Sequence, residues 1–258
     1  MSVRQAKVIT VTSVKGGTGK TTTVLNLAGI LKMRKMKILI IDLDLYSGGI
    51  AVSLNVQAEH DLFQLMDDLN NNRFHNLEDY ITAYDEYIDV IPSPKDPRTA
   101  GKINSKYLQV IYAKAKLKYD VILVDTNHNL NDLNLVNLDY SDQILYVITN
   151  DPVDLKNMRT MVSIYQDMDK KNYKIVLNEA SDRQKDYFSF YDIKNIIKDN
   201  IDYTIPNSFY IKNIDKYVLD GHILTLDPHI RKKHKKGITH FEKMAQSILK
   251  EPKKEMEK

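Results

Sequence analysis

Eight residues, Lys15-Gly16-Gly17-Thr18-Gly19-Lys20-Thr21-Thr22, sit between an apolar, strand-like run over Lys7–Ser13 and a helix-like run over Thr22–Ala28. A glycine-rich turn that joins a strand to a helix points several backbone N–H groups at one spot, and the positive end of the helix dipole reinforces them. This turn constrains the chain more than any other feature, because it requires a strand that leads straight into a helix N-terminus. The spot it creates suits a chain of phosphates. Lys20 can reach β- and γ-phosphates, and the Thr21 hydroxyl can ligate Mg²⁺. The plain alternative is a glycine turn with a helix-capping threonine. Position, residue type and flanking runs together favour the phosphate reading.

The general pattern G-x-x-x-x-G-K-[ST] wants glycine at position 14, where this chain has Val14 followed by Lys15. The K-G-G-x-G-K-T-T form resembles the deviant Walker A motif of the ParA/MinD family of ATPases. The resemblance implies an ATP- and Mg²⁺-dependent homodimer in which Lys15 reaches across the interface to the partner's nucleotide. It also implies that Gly16, Gly17, Thr18, Gly19, Lys20, Thr21 and Thr22 hold the nucleotide's phosphates.

Alternating strand-like and helix-like stretches argue for an α/β fold, a doubly wound, mostly parallel sheet with helices on both faces. The expected strands are Lys7–Ser13, Lys37–Asp42, Tyr87–Ile91, Tyr119–Asp125, Gln143–Thr149 and Tyr173–Asn178. Most are continuous apolar runs, as in a sheet covered on both sides. Asp61 is expected to cap a helix carrying Leu62, Leu65, Met66 and Leu69. Asp154 is expected to open another, carrying Leu155, Met158, Met161, Val162 and Tyr165. A final helix is expected over Thr239–Leu249, and Pro92, Pro94 and Pro97 mark a loop. Residues 1–249 read as one ATPase domain, and the charged stretch 250–258 as a disordered tail.

A chain of 258 residues with 43% hydrophobic content can build a sizeable core. Its longest apolar runs, Ile38–Ile41 and Val121–Val124, are strand-sized and far short of a membrane span. Arg4 and Lys7 flank no signal-peptide core, so a cytoplasmic protein is expected. The absence of cysteine excludes disulfides, thiolate catalysis and cysteine-based metal sites. The net charge of +3 is too mild to announce a nucleic-acid binder. Its distribution is more informative, with a basic block over Arg231, Lys232, Lys233, His234, Lys235 and Lys236, and a looser cluster at Lys32, Arg34, Lys35 and Lys37.

Three further segments carry chemistry. The second strand ends in Asp42-Leu43-Asp44, and an acidic residue at the carboxyl end of a parallel strand lies in the crevice where ligands bind. Asp44 can orient or deprotonate a water, and Asp42 can support a Mg²⁺ shell. Two surface aspartates at a strand end are the alternative. In the ParA/MinD family the corresponding D-x-D segment serves hydrolysis. Val121–Val124 ends in Asp125, a carboxylate placed to hold Mg²⁺ through water. Family members commonly continue with a switch segment containing proline and glycine, whereas this chain has Thr126-Asn127-His128-Asn129-Leu130. His128 is either a sensor of the γ-phosphate or an exposed loop residue. Asn178 offers a donor and an acceptor suited to an adenine edge. The resemblance adds that Asn178 contacts adenine and that Pro206, in Ile205-Pro206-Asn207, marks a base-facing loop.

The resemblance extends over residues 7–249. The segments Asp42–Ala51, Leu138–Gln143 and Asp154–Arg159 also look like the CpaE/TadZ branch, which positions Tad-type pilus and secretion machinery and often carries an N-terminal receiver-like domain; here the ATPase strand comes first. The family logic implies a slow, partner-stimulated ATPase that dimerises around ATP and positions a cargo. The output surface stays open. Arg231, Lys232, Lys233, Lys235 and Lys236 can bind DNA phosphates without reading sequence, sit on anionic lipid, or form a solvated loop beside a protein partner. Membrane contact is the weakest of these, because the tail lacks an amphipathic helix. An ATP-dependent metabolic ligase such as a dethiobiotin-synthetase-like enzyme, or a scaffold that does not hydrolyse ATP, are more remote alternatives.

Overall fold

The structure is a computed structural model that describes residues 6–180 and 187–249. The tail 250–258 and Arg4 lie outside the described residues. The strands are β1 (Lys7–Thr12), β2 (Ile38–Leu43), β3 (Thr82–Ala83), β4 (Ile88–Ile91), β5 (Val121–Thr126), β6 (Gln143–Ile148), β7 (Tyr173–Asn178) and β8 (Tyr203–Ile205). The helices are α1 (Lys20–Met33), α2 (Ile50–Ser53), α3 (Leu62–Asn70), α4 (Leu108–Ala115), α5 (Asp132–Tyr140), α6 (Pro152–Asp167), α7 (Phe190–Ile197), α8 (Ile214–Leu219), α9 (Pro228–Lys233) and α10 (Lys235–Leu249).

The strands form one eight-stranded sheet in the order β3-β4-β2-β5-β1-β6-β7-β8, and every pairing is parallel except β3 with β4. The two faces divide by residue parity. Ile9, Val11, Ile40 and Leu123 pack with α1 and α10, while Val8, Leu39, Ile41, Ile122 and Val124 pack with α3 and α4. A third cluster joins Ile144, Tyr146, Ile175 and Leu177 to α6 and α7. Burial on both faces explains the continuous apolar strands. It places β1, β2 and β5 side by side, with Val11 beside Asp125 and Asp42 beside Asp125. The carboxyl ends of these three strands meet at the start of α1.

All six expected strands are present, Tyr173–Asn178 with the expected bounds and the others with an end shifted by one or two residues. The third and fourth begin at Ile88 and Val121 rather than at Tyr87 and Tyr119. Asp61 caps α3 as expected, with a reciprocal bond in which Gln64 N donates to Asp61 and Asp61 N donates to Gln64. Asp154 does not open α6. Asp151 does, accepting from the N–H groups of Val153 and Asp154, with Pro152 at the first helical position. Asp154 is buried and accepts from the Thr149 N–H and hydroxyl at 2.7 and 2.8 Å. The final helix begins at Lys235, four residues before the expected Thr239. Pro97 starts a short 3-10 turn over Pro97–Lys102. Among the described residues no helix is long and apolar enough to cross a membrane.

Candidate nucleotide site

The turn between β1 and α1 is shaped by two residues that need no Cβ. Gly17 and Gly19 adopt φ of +75° and +95°, which side chains disfavour. Gly19 caps α1 without a side chain, so the first N–H groups of the helix stay open toward the turn. Ser13 closes the entry, its hydroxyl donating to the Lys15 carbonyl at 2.6 Å. Val14, where the general pattern has glycine, packs its side chain against the β6–β7 cluster.

Below the turn, Lys20 is 9% exposed, and the Thr21 hydroxyl donates to Asp125 Oδ2 at 2.6 Å. Asp125 is fully buried, and its Oδ1 has no hydrogen-bond partner. Burial, reinforced by the Asp42 carboxyl, holds Asp125 well above the usual carboxylate range against the pull of the Thr21 hydroxyl and the Lys20 ammonium. A buried oxygen without a donor, next to a threonine hydroxyl at the mouth of a phosphate turn, fits a hard divalent cation. Among the described residues no three His, Asp or Glu side chains could hold a metal together, so nucleotide oxygens and water would have to complete the shell.

Asp42 stands beside Asp125 in the sheet. Its Oδ1 accepts from the Asp44 N–H at 3.0 Å and its Oδ2 from the Ile50 N–H at 3.2 Å. It therefore folds the loop that follows β2. Burial pushes its carboxyl up to about 7, against those same N–H groups. Asp44 is half-buried and accepts only a long bond from Ser47 N at 3.3 Å, which leaves its carboxylate available at the rim.

Lys15 carries its ammonium to the start of α6. Its ammonium lies 3.0 Å from Asp151 at the cap of α6, with one third of the side chain exposed. That ammonium holds the Asp151 carboxyl below the usual carboxylate range. Sequence reasoning missed Asp151, although the Asp-Pro pair carries the signal of a helix start. His128 is exposed, and its ring lies 3.6 Å from where a Cβ on Gly16 would stand.

A cavity of about 310 Å³ runs from the turn to the far end of the sheet. Lys15, Gly16, Gly17, Thr18, Gly19 and Thr22 form one end, and Ile205, Phe209, Tyr210, Ile211 and Phe241 the other. Asn178 lines the middle, with Nδ2 donating to the Thr18 carbonyl at 2.8 Å and Oδ1 accepting from Ala180 N at 3.0 Å. In this arrangement the Asn178 amide braces the phosphate turn. Pro206 is buried, and its carbonyl accepts from Phe209 N in the 3-10 turn Asn207–Phe209. Tyr210 and Ile211, just beyond it, line the cavity and were not anticipated; their adjacency to Pro206 was the available clue.

A family profile described as an AAA domain matches residues 6–179. The chain belongs to the ParA/MinD family of P-loop ATPases. It is 26% identical to the virulence plasmid ParA family protein pGP5-D of Chlamydia psittaci over 227 residues, covering 85% of this chain and 79% of that protein. Its fold is that of a ParA family ATPase from Chlorobium tepidum TLS, with a TM-score of 0.79 and 20% identity over 93% of this chain and 98% of that one. The septum site-determining protein MinD of Pyrococcus horikoshii OT3, solved with Mg-ADP, matches with a TM-score of 0.76 and 23% identity over 95% and 96% of the two chains. This family member keeps the complete deviant motif from Lys15 to Thr22, whereas its Thr126–Leu130 segment departs from the family's switch.

The basic block is not a loop. Arg231, Lys232 and Lys233 end α9, His234 joins the two helices, and Lys235 and Lys236 begin α10. Arg231 is half-buried and donates to the Thr225 carbonyl at 3.0 Å, and His234 is buried against the Ser208 carbonyl. Lys232, Lys233, Lys235 and Lys236 are exposed.

Proposed function

We propose that this chain is an ATP-driven switch, in which two copies pair face to face around ATP and Mg²⁺, hydrolyse slowly, part again, and so position a cargo. The observation that carries the reading is the pair of lysines on one turn. Lys20 lies beneath the turn where the chain's own phosphates would sit, while Lys15 is turned outward to the rim. A second cation on the same turn, one third exposed and beside the start of α6, suits a neighbour's phosphates.

In this reading Gly16, Gly17, Thr18, Gly19 and Thr22 surround the phosphates with backbone N–H groups, and Lys20 neutralises the β- and γ-phosphates. Thr21 and Asp125 hold Mg²⁺, with Asp42 fixing the loop beside them. Bound there, Mg²⁺ spreads the phosphate charge. Asp44 orients the attacking water, so catalysis rests on positioning and charge neutralisation. Asn178 and the loop after Pro206 bound the base. ATP favours the dimer only to the extent that it binds the dimer more tightly than the single chain.

For the output, four exposed lysines on one helix joint support nonspecific binding to DNA phosphates, with affinity that falls steeply with salt. The pilus-localisation reading rests on the Asp42–Ala51, Leu138–Gln143 and Asp154–Arg159 segments alone, and a protein partner that stimulates hydrolysis belongs to both readings.

Sedimentation with an uncleavable ATP analogue tests the switch. The wild type is expected to pass from monomer to dimer. Lys15→Ala is expected to bind the analogue within about threefold of wild type yet remain a monomer, because it lacks only the contact to its mate. A wild type that stays single when saturated would end this reading.

A further inference from the structure

The segment that departs from the family's switch is folded by its own asparagines. Asn127 is 6% exposed, and its Oδ1 accepts from Asn129 N at 2.9 Å and from Asn134 Nδ2 at 2.7 Å. Asn134 Nδ2 also donates to the Asn129 carbonyl at 2.6 Å, and Asn131 accepts from Asn134 N at 2.9 Å at the cap of α5. A backbone N–H can only donate and a carbonyl can only accept, so neither carboxamide can be turned over without losing a bond. Asn127 Nδ2 is thereby left as a buried donor with no partner. Leaving such a group unmet costs about 1–3 kcal/mol.

The sheet register shows what stands near it. Leu43 of β2 pairs with Thr126 of β5, so the next residues along are Asp44 and Asn127. On the other side Val11 of β1 pairs with Asp125, and two steps further are Ser13, which closes the phosphate turn, and Asn127. Asn127 therefore follows the central strand between the water-orienting carboxylate and the turn. His128, its neighbour, lies against Gly16 of that turn.

We propose that the Asn127 carboxamide donates a hydrogen bond to a γ-phosphate oxygen and so makes this segment the reader of ATP against ADP. The inference rests on the ATP-switch reading. It replaces the family's proline- and glycine-containing segment with a side-chain donor held rigid through its own oxygen. A neutral amide suits a strand end flanked by carboxyls, with Asp125 two residues before it and Asp44 next in register on β2. ADP offers no γ-oxygen, so the donor returns to being unmet and the segment loses that tether.

Titration calorimetry with ADP and with an uncleavable ATP analogue, both with Mg²⁺, tests the assignment. Asn127→Asp keeps the oxygen that organises the loop and removes the donor, while Asn127→Ala removes both without adding charge. Both variants are expected to bind the analogue at least about tenfold more weakly than wild type while ADP affinity stays within about twofold. Equal weakening for the two nucleotides in Asn127→Ala, or unchanged preference in both variants, would overturn the assignment. Thermal unfolding identifies a variant that fails to fold, and the other variant then decides. A wild type that binds neither nucleotide would instead overturn the ATP reading itself.

Discussion

The two ends of the nucleotide cavity are built in opposite ways. The phosphate end is backbone: two left-handed glycines, open helix N–H groups and a hydroxyl brace, all within ten residues of chain. The end proposed for the base is side chain: Ile205, Phe209, Tyr210 and Ile211 from one short segment, joined by Phe241 from α10. Ile205, Phe209 and Phe241 also belong to the core that covers α1. A site made of backbone can be altered without touching the core, whereas a site made of core side chains ties affinity to stability.

The largest effect should come from the base end. Phe209 is 4% exposed and packs on Phe241 with ring centroids 5.1 Å apart. Phe209→Ala should cost about 4 kcal/mol of stability, read by urea unfolding, together with weaker nucleotide binding. Next comes Lys20→Ala, which should weaken ATP binding about a hundredfold, or roughly 3 kcal/mol, in calorimetry while the melting temperature holds or rises. A fall in stability for Lys20→Ala equal to that for Phe209→Ala would break the contrast. The smallest effect lies on the connection between the ends. Burial raises the Asp154 carboxyl to about 6, against the Thr149 bonds that lower it. A carboxyl raised on folding gives its stabilising contribution in full below its unfolded value and loses it as pH climbs through the folded value. The Asp154 contribution should therefore decline by about 2 kcal/mol between pH 4 and pH 6, and Asp154→Asn should remove that part of the wild-type pH dependence in unfolding titrations.

The same contrast explains what was legible in the sequence. The turn, the strand-ending Asp42 and Asp125, and Asn178 were readable because each is a local signal at the end of a strongly apolar run. β3 and β8, of two and three residues, were not, since a strand that short has no pattern of its own and exists through its neighbours. Tyr210 and Ile211 offered only their adjacency to Pro206 as a clue, and Phe241 offered none, because tertiary packing brings it to the cavity. Asp151 was legible but passed over, since the apolar spacing pointed to Asp154, and the strong cap beside Pro152 decided the helix start. The Lys15–Asp151 pair joins residues 136 positions apart, and no spacing rule announces it.

One contact in the core bears on how the molecule is made. Asn26, in the middle of α1, accepts from Thr225 N through its side chain and from the Thr225 hydroxyl through its backbone, at 3.0 and 2.8 Å. A methyl on Gly29 would meet that same hydroxyl at 2.3 Å, so helix and strap are moulded to each other. α1 is thus clothed by a stretch that is synthesised long after it, the two contact residues lying 199 positions apart. Until that stretch emerges, α1 has only the sheet to pack on, and its other side stays bare. A polypeptide stalled before residue 225 would carry the whole phosphate motif and still lack the stretch that braces α1, so a settled pocket has to wait until residue 225 has followed the motif out.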